Sequence, residues 1–270
     1  MSDKHDLTMI SLSLDIHRLV GLARRRRLPL YHLDAGYIVH CQLGELFGDL
    51  APRPFAIMPG KSRFMRVLAY ARQPLADLRR QAEAIAEPGV YNACDRTAAE
   101  EKRMPSEWRA GSRYGYRVRA CPIQRMNADG RHYRKGAEVD VFLARCWAIG
   151  DPGTPVDRHL VYREWLAAQI ERVGGARLLE TKVAGFQRDR MVRRSQGRSA
   201  ETATSRGPEA SREVMVGQGT ERKSSRLERP DAVFEGVLEV TEPEAFGALL
   251  ERGIGRHRSF GFGMLLLRSR

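Results

Sequence analysis

The sequence predicts an α+β protein built from two consecutive β-α-β-β-α-β units, and three observations carry that reading. Short segments alternate apolar and polar residues, as in strands with one covered face. Other segments repeat apolar residues at spacings of three and four, as in helices with one buried stripe. The two kinds of segment run through the same six-element series twice, on either side of a charged, polar stretch at 96–112.

In the first series, residues 7–16 place Ile10, Leu12, Leu14 and Ile16 on one side of a strand. The basic run Arg24-Arg25-Arg26-Arg27, with Pro29 behind it, reads as a solvated loop or as a contact for nucleic acid. Asp34 is a good N-cap for a helix over 35–48, whose stripe is Val39, Leu43, Leu46 and Leu50. Pro52 and Pro54 end it. Extended segments at 54–58 and 63–71 flank the turn sequence Pro59-Gly60-Lys61-Ser62. Leu75, Leu78, Ala82 and Ile85 mark a second helix closed by Pro88-Gly89, and a short strand is expected at 90–94.

The second series opens near Arg113, where Tyr116, Val118 and Ala120 alternate with Arg117 and Arg119. Asn127-Ala128-Asp129-Gly130 is a hairpin turn signal among Arg125, Arg131, Arg134 and Lys135. It predicts a projecting basic ribbon, with Val139, Val141 and Leu143 on the returning strand. Asp157 is the candidate cap of a helix over 158–173, ended by Gly174-Gly175. Strands follow at 178–186 and 232–240. Residues 188–230 between them are rich in Arg, Ser, Gly and Glu and are expected to be largely mobile. Thr241 and Glu244 suggest a capping box for a helix over 241–252, and an apolar run, Met264 to Leu267, ends the chain as a strand. Each series is the ferredoxin-like arrangement. The prediction is thus two tandem ferredoxin-like domains, 1–95 and 113–270, joined by a linker at 96–112.

Forty-six Lys and Arg against 33 Asp and Glu give a net charge of +13, which favours a polyanionic partner, nucleic acid or an anionic membrane. No apolar run is long enough to span a bilayer, and the first residues lack a signal-peptide core, so the expected location is the cytoplasm with no membrane partner. Cys41, Cys94, Cys121 and Cys146 form no C-x-x-C pair, and no two histidines have H-x-x-x-H spacing. The cysteines are expected as free thiols, and neither a metal nor a cofactor is expected.

Two motifs carry chemistry. Residues 253–263 hold two Gly-x-Gly pairs, Gly253/Gly255 and Gly261/Gly263, around the basic centre Arg256-His257-Arg258. Glycine reaches positive φ without strain, and backbone N–H groups in such loops can converge on a phosphate. On the helix over 35–48, Tyr37 and His40 lie three apart and off the core stripe, with Gly44 on the same face leaving room for a ligand. Histidine transfers protons near neutral pH, a phenol can hydrogen-bond a 2′-oxygen or a phosphate oxygen, and arginines stabilise phosphoryl charge. That set suits RNA cleavage by a 2′-hydroxyl. His32, next to Tyr31 ahead of the helix, is a less favoured alternative to His40. His257 reads as a backbone or RNA contact.

The glycine-rich end resembles the C-terminal signature of the RAMP RNA-binding proteins of CRISPR systems, and within them the CasE-type (type I-E) repeat-RNA endonucleases. Tyr37-Ile38-Val39-His40 with Leu43, Leu46 and Phe47 is similar to that family's Tyr-x-x-His helix. Arg117-Val118-Arg119-Ala120-Cys121-Pro122 resembles its R-x-R-A-N-P strand, with Cys121 where Asn is usual, and Phe234-Glu235-Gly236-Val237-Leu238 falls in the family's order. The resemblance implies two tandem ferredoxin-like domains, with Tyr37 and His40 as the catalytic pair. It implies RNA contacts from Arg117, Arg119, Arg125, Arg131, Arg134, Lys135, Arg256, Arg258 and the four loop glycines. The implied partners are a CRISPR repeat stem-loop and the other subunits of a Cascade-type complex. The implied reaction is metal-independent cleavage of pre-crRNA at the stem base, leaving a 2′,3′-cyclic phosphate. The rival reading is a non-catalytic RAMP subunit that only binds crRNA. No auxiliary catalytic lysine stands out.

Overall fold

The structure is a computed structural model that describes residues 7–26, 34–60, 62–151, 153–194 and 224–269. The N-terminal half runs β1 (Thr8–Asp15), α1 (Ile16–Arg25), α2 (Ala35–Phe47), β2 (Phe55–Ile57), β3 (Phe64–Ala71), α3 (Leu75–Ile85), α4 (Pro88–Tyr91) and β4 (Cys94–Arg103). Its antiparallel sheet has the order β2-β3-β1-β4. Alternation along β1 buries Ile10, Leu12 and Leu14 against Val39, Leu43 and Leu46 of α2. Each such side chain contributes about 1.5–3 kcal/mol by leaving water. The Asp34 carboxylate accepts the Tyr37 N–H at 3.1 Å, which fixes where α2 starts.

The C-terminal half runs β5 (Arg113–Ala120), β6 (Ile123–Arg125), β7 (Glu138–Asp140), α5 (Val141–Ile149), α6 (Arg158–Val173), β8 (Ala176–Arg194), β9 (Ser224–Val240), α7 (Pro243–Arg252) and β10 (Leu265–Arg268). Its main sheet has the order β10-β5-β9-β8, the same order as in the first half. The β6-β7-α5 insertion follows the first strand of this half. Both halves are ferredoxin-like, as the sequence predicts.

Several elements depart from the sequence reading. The basic run after β1 ends a helix: Leu19, Leu22 and Ala23 of α1 are buried, and Asp15 caps it by accepting the N–H groups of His17 and Arg18. Arg24 and Arg25 lie in its last turn, while Arg27 and His32 lie outside the described residues. Residues 90–94 split between the helical turn α4 and the start of β4. The strand β4 then continues to Arg103 and pairs with β1, so the N-terminal domain takes in residues assigned to the linker. Few of its side chains are buried, which is why its sequence reads as a linker. Val141 and Leu143 belong to helix α5, because Asp140 accepts the Phe142 N–H at 2.9 Å and so caps a helix. The helix α7 begins at Pro243 without a side-chain cap, so the Thr241/Glu244 box does not form.

The region 188–230, predicted to be largely mobile, begins and ends as strand. Arg188–Arg194 and Ser224–Pro230 pair in continuous antiparallel register as the outer arm of β8 and β9. Backbone hydrogen bonding needs no apolar side chains, so composition did not reveal it. The central part, 195–223, lies outside the described residues.

The two halves share packing. Leu68 and Tyr70 of β3 are buried in the C-terminal core, and the Tyr70 hydroxyl donates to the Leu265 carbonyl at 2.8 Å. Burial raises the pKa of that phenol and keeps it a neutral donor.

Candidate active site

A cleft of about 1320 Å³ lies between α2 and the C-terminal half. Tyr37, His40 and Cys41 of α2, residues of α5 and α6, and the glycine-rich loop line it. Arg125, Arg145, Arg172, Arg229, Arg252, Arg256 and Arg258 line it against two acids, Glu138 and Glu164. Low-dielectric walls carrying this surplus of positive charge concentrate a polyanion.

Tyr37 and His40 present neighbouring rings with centroids 6.4 Å apart. Both are half-buried. Desolvation lowers the pKa of His40, and the positive charge of Arg53 lowers it further. The imidazole is therefore neutral at neutral pH and can accept a proton. A Cβ added to Gly44, one turn beyond His40, would meet nothing within 4 Å, so this face of α2 is open.

The glycine loop is a built structure. Gly253, Gly255, Gly261 and Gly263 all have φ between 70° and 82°, and His257 is left-handed at 60°. A Cβ on Gly263 would lie 2.2 Å from the Ile254 carbonyl oxygen, so only glycine lets the two arms of the loop meet. Gly253 gives its N–H to Leu249, and Gly263 gives its N–H to Arg119. The N–H groups of these two glycines are thus used in shaping the loop. Gly255 lines the cleft, and Gly261 packs on the Phe55 ring.

One carboxylate anchors this loop. Glu138 of β7 accepts Arg256 Nε at 2.7 Å and Arg229 Nη2 at 2.8 Å, and His257 Nε2 lies 3.2 Å from it. Burial opposes its ionisation, but the charges of His257, Arg229 and Arg256 outweigh that and hold its pKa below the usual value. His257 is itself lowered, mainly by desolvation and against the pull of Glu138. Arg258 donates to the Arg252 carbonyl at 2.5 Å, and desolvation with the charges of Arg252 and Arg53 lowers its pKa.

Among the residues predicted from sequence, the cleft gathers Tyr37, His40, Arg125, Gly255, Arg256 and Arg258. It does not gather Arg117 and Arg119. Arg117 pairs with Glu235 directly across the sheet. Arg119 holds Asp231 through two 2.9 Å bonds and lies over the Phe262 ring at 4.3 Å, so these two arginines bind the sheet together. Arg131, Arg134 and Lys135 stand exposed on the β6–β7 loop. That loop does not project freely. His132 and Tyr133 stack on Trp147 of α5, with centroids at 4.9 and 5.8 Å, and Gly130 and Tyr133 form the tight turn.

Sequence reasoning missed Arg53, Arg145, Arg172, Arg229, Arg252, Glu138 and Phe260. Arg252 ends α7 immediately before the loop and could have been added to it. Phe260 lies inside the glycine-rich loop already singled out, and the remaining residues join the site only through the tertiary fold. Among the described residues, no group of three or more His, Cys, Asp or Glu side chains could hold a metal ion, and no helix is long and apolar enough to cross a membrane.

Similar proteins agree with this architecture. Solved structures of the same fold include the CRISPR endoribonuclease Cse3 bound to a 19-nucleotide RNA, 18% identical with a TM-score of 0.58, covering 98% of this chain and all of that one. Another is Thermus thermophilus Cse3 bound to an RNA representing a pre-cleavage complex, 19% identical with a TM-score of 0.54 over 98% of this chain and all of that one. A chain of a CRISPR RNA-guided surveillance complex matches at 14% identity and a TM-score of 0.53 over 96% of this chain and 98% of that one. No curated protein sequence matches. A family model described as CRISPR associated protein matches residues 16–269, from the first helix to the last strand, and the chain belongs to that family.

Proposed function

We propose that this protein is a CasE-type endoribonuclease that binds the stem-loop of a CRISPR repeat in the arginine-rich cleft and cuts pre-crRNA without a metal ion. The observation that carries the reading is the placement of Tyr37 and His40 together on the open face of α2, at the wall of a cleft lined by seven arginines. The RNA-bound Cse3 structures and the surveillance complex that share its fold support repeat RNA and a Cascade-type assembly as partners.

His40, neutral because its pKa is lowered, takes the proton of the 2′-hydroxyl next to the scissile phosphate. The 2′-oxygen attacks phosphorus as the bond to the 5′-oxygen breaks; that oxygen takes a proton from the His40 imidazolium or from water and leaves as a 5′-hydroxyl, and a 2′,3′-cyclic phosphate remains on the other fragment. Tyr37 donates its hydroxyl to the 2′-oxygen or a phosphate oxygen. Arg258 and Arg53 bring positive charge to the phosphoryl oxygens as charge builds in the transition state. Arg125 and the exposed Arg131, Arg134 and Lys135 take the phosphates of the stem, which as A-form RNA is read by shape and backbone.

The test is to incubate the protein with its repeat RNA in EDTA and analyse the new ends. A cyclic phosphate on the upstream fragment, lost with His40→Ala, is the expected result. Tight binding with no cut would establish the rival, a RAMP subunit that only binds crRNA.

A further inference from the structure

We propose that Phe260, contributed by the C-terminal glycine loop, is the positioning residue that sets the orientation of the catalytic pair on α2. The proposal rests on the reading of His40 and Tyr37 given above. Three rings converge on Phe260. It stacks on Tyr37 at a centroid distance of 6.2 Å and 12° between planes. It lies 5.0 Å from His40 at 55°, closer to that ring than Tyr37 is. The His257 ring also lies near it, at 6.3 Å.

Phe260 is itself held from several directions. Its N–H donates to the His257 carbonyl at 2.8 Å, and Gly261 at φ 82° turns the chain sharply after it. Its carbonyl comes so close to α2 that a Cβ on Gly36 would lie 2.2 Å from the oxygen. The backbone of the loop therefore seats directly on the first turn of the helix, one residue before Tyr37. His257 and Arg256 tie that turn to Glu138.

A phenyl ring transfers no proton, so its contribution is geometric and dielectric. By packing against both rings it removes their rotational freedom, and reaction rates are sensitive to misplacement of about 1 Å. By covering part of His40 it adds to the desolvation that keeps that imidazole neutral. The charge that acts on His40 is that of Arg53 ahead of β2; Tyr37 is its ring neighbour, and Cys41, His257 and Arg258 line the same cleft. Arg53 remains when the ring is removed, so the solvent exposure of His40 is the variable that changes.

The experiment measures single-turnover cleavage of repeat RNA by the full chain at saturating enzyme, from pH 5 to pH 8. The variants are Phe260→Leu and Phe260→Tyr, with His40→Ala as control. Phe260→Leu is expected to lower the saturated rate by about tenfold and to move the acid limb of the profile upward, toward the ordinary histidine value of about 6.5. RNA affinity should change by less than about threefold, and Phe260→Tyr, which keeps the ring, should restore rate and profile. A uniform loss of rate with the acid limb unmoved would overturn the proposal, because that is what a loosened domain contact gives. Lost affinity with an unchanged saturated rate would also overturn it and make Phe260 a platform for an RNA base. If His40→Ala cuts as fast as the natural sequence, it is the underlying assignment of His40 that fails.

Discussion

Replacing Glu138 by glutamine keeps the shape of the side chain and removes its charge. The consequence can be worked from its partners. Arg229 and Glu138 have side chains only 8% and 10% exposed, so the substitution leaves an arginine charge buried without its counter-ion. Breaking a buried pair from one side costs about 3–5 kcal/mol, and because glutamine keeps one oxygen acceptor we expect the lower part of that range. The Arg256 side chain is half exposed, and its bond to Glu138 adds less than about 1 kcal/mol. A net loss of about 3–4 kcal/mol corresponds, at about 2–4 °C per kcal/mol, to a fall in Tm on the order of 6–16 °C for a chain of this size. The sign with pH follows from the shifts. Glu138 and His257 both have folded pKa values below their ordinary ones, so their stabilisation is complete above the unfolded values and is lost as pH falls through the folded ones. The Tm difference between the two proteins should therefore be full near pH 7.5, begin to shrink below about pH 4.5, where Glu138 starts to be protonated in the unfolded chain, and vanish only once pH falls below its lowered folded pKa. Thermal unfolding followed by circular dichroism over that pH range is the assay. A Tm within about 1 °C of the natural protein at pH 7.5 would refute the claim that this carboxylate anchors the loop.

Three further outcomes are expected. His40→Ala should lower the single-turnover rate at least about 100-fold while repeat affinity stays within a few-fold, and Tyr37→Phe should cost less; the natural enzyme's rate should rise with pH through an apparent pKa below 6.5. Gly44→Ala should fold and gain up to about 1 kcal/mol of helix stability, since its Cβ meets nothing, yet should weaken repeat binding if RNA lies along that face; unchanged affinity in a filter-binding assay would place the strand elsewhere. Replacing Arg125 and Arg131 together by alanine should weaken binding and flatten the dependence of log K on log salt, with little effect on the saturated rate; titrations at several salt concentrations decide it.

Periodicity made most of the fold legible. The Asp34 cap and the stripe Val39, Leu43, Leu46 located α2 to within a residue, and the same local spacing put Tyr37 and His40 on one open face. Patterns failed where they were masked or shared. Four consecutive arginines hid the buried Leu19, Leu22 and Ala23 of α1. The alternation Val139, Val141, Leu143 suits a strand, while one aspartate, Asp140, turned it into a helix start. Arg117 and Arg119 lie outside the cleft, and the strand register that pairs them with Glu235 and Asp231 is not visible in their local sequence. The meeting of Phe260 with Tyr37 and His40, and of Glu138 with Arg229 and Arg256, was illegible for a different reason: these partners lie more than 90 positions apart, and no local spacing encodes such a meeting.

The hydroxyl of Tyr70 and the side chain of Leu68, lodged in the opposite half's core, make the duplicated architecture indivisible. A tandem repeat suggests two modules that could be cut apart and studied singly. Here the first module would bare two large side chains to water, and the second would lose part of its filling together with the donor that satisfies the Leu265 carbonyl. The helix bearing the imidazole and the loop it rests on also come from different modules, so neither fragment would carry a complete cleft. The two halves are thus packed together through β3, and the join between them forms the cleft.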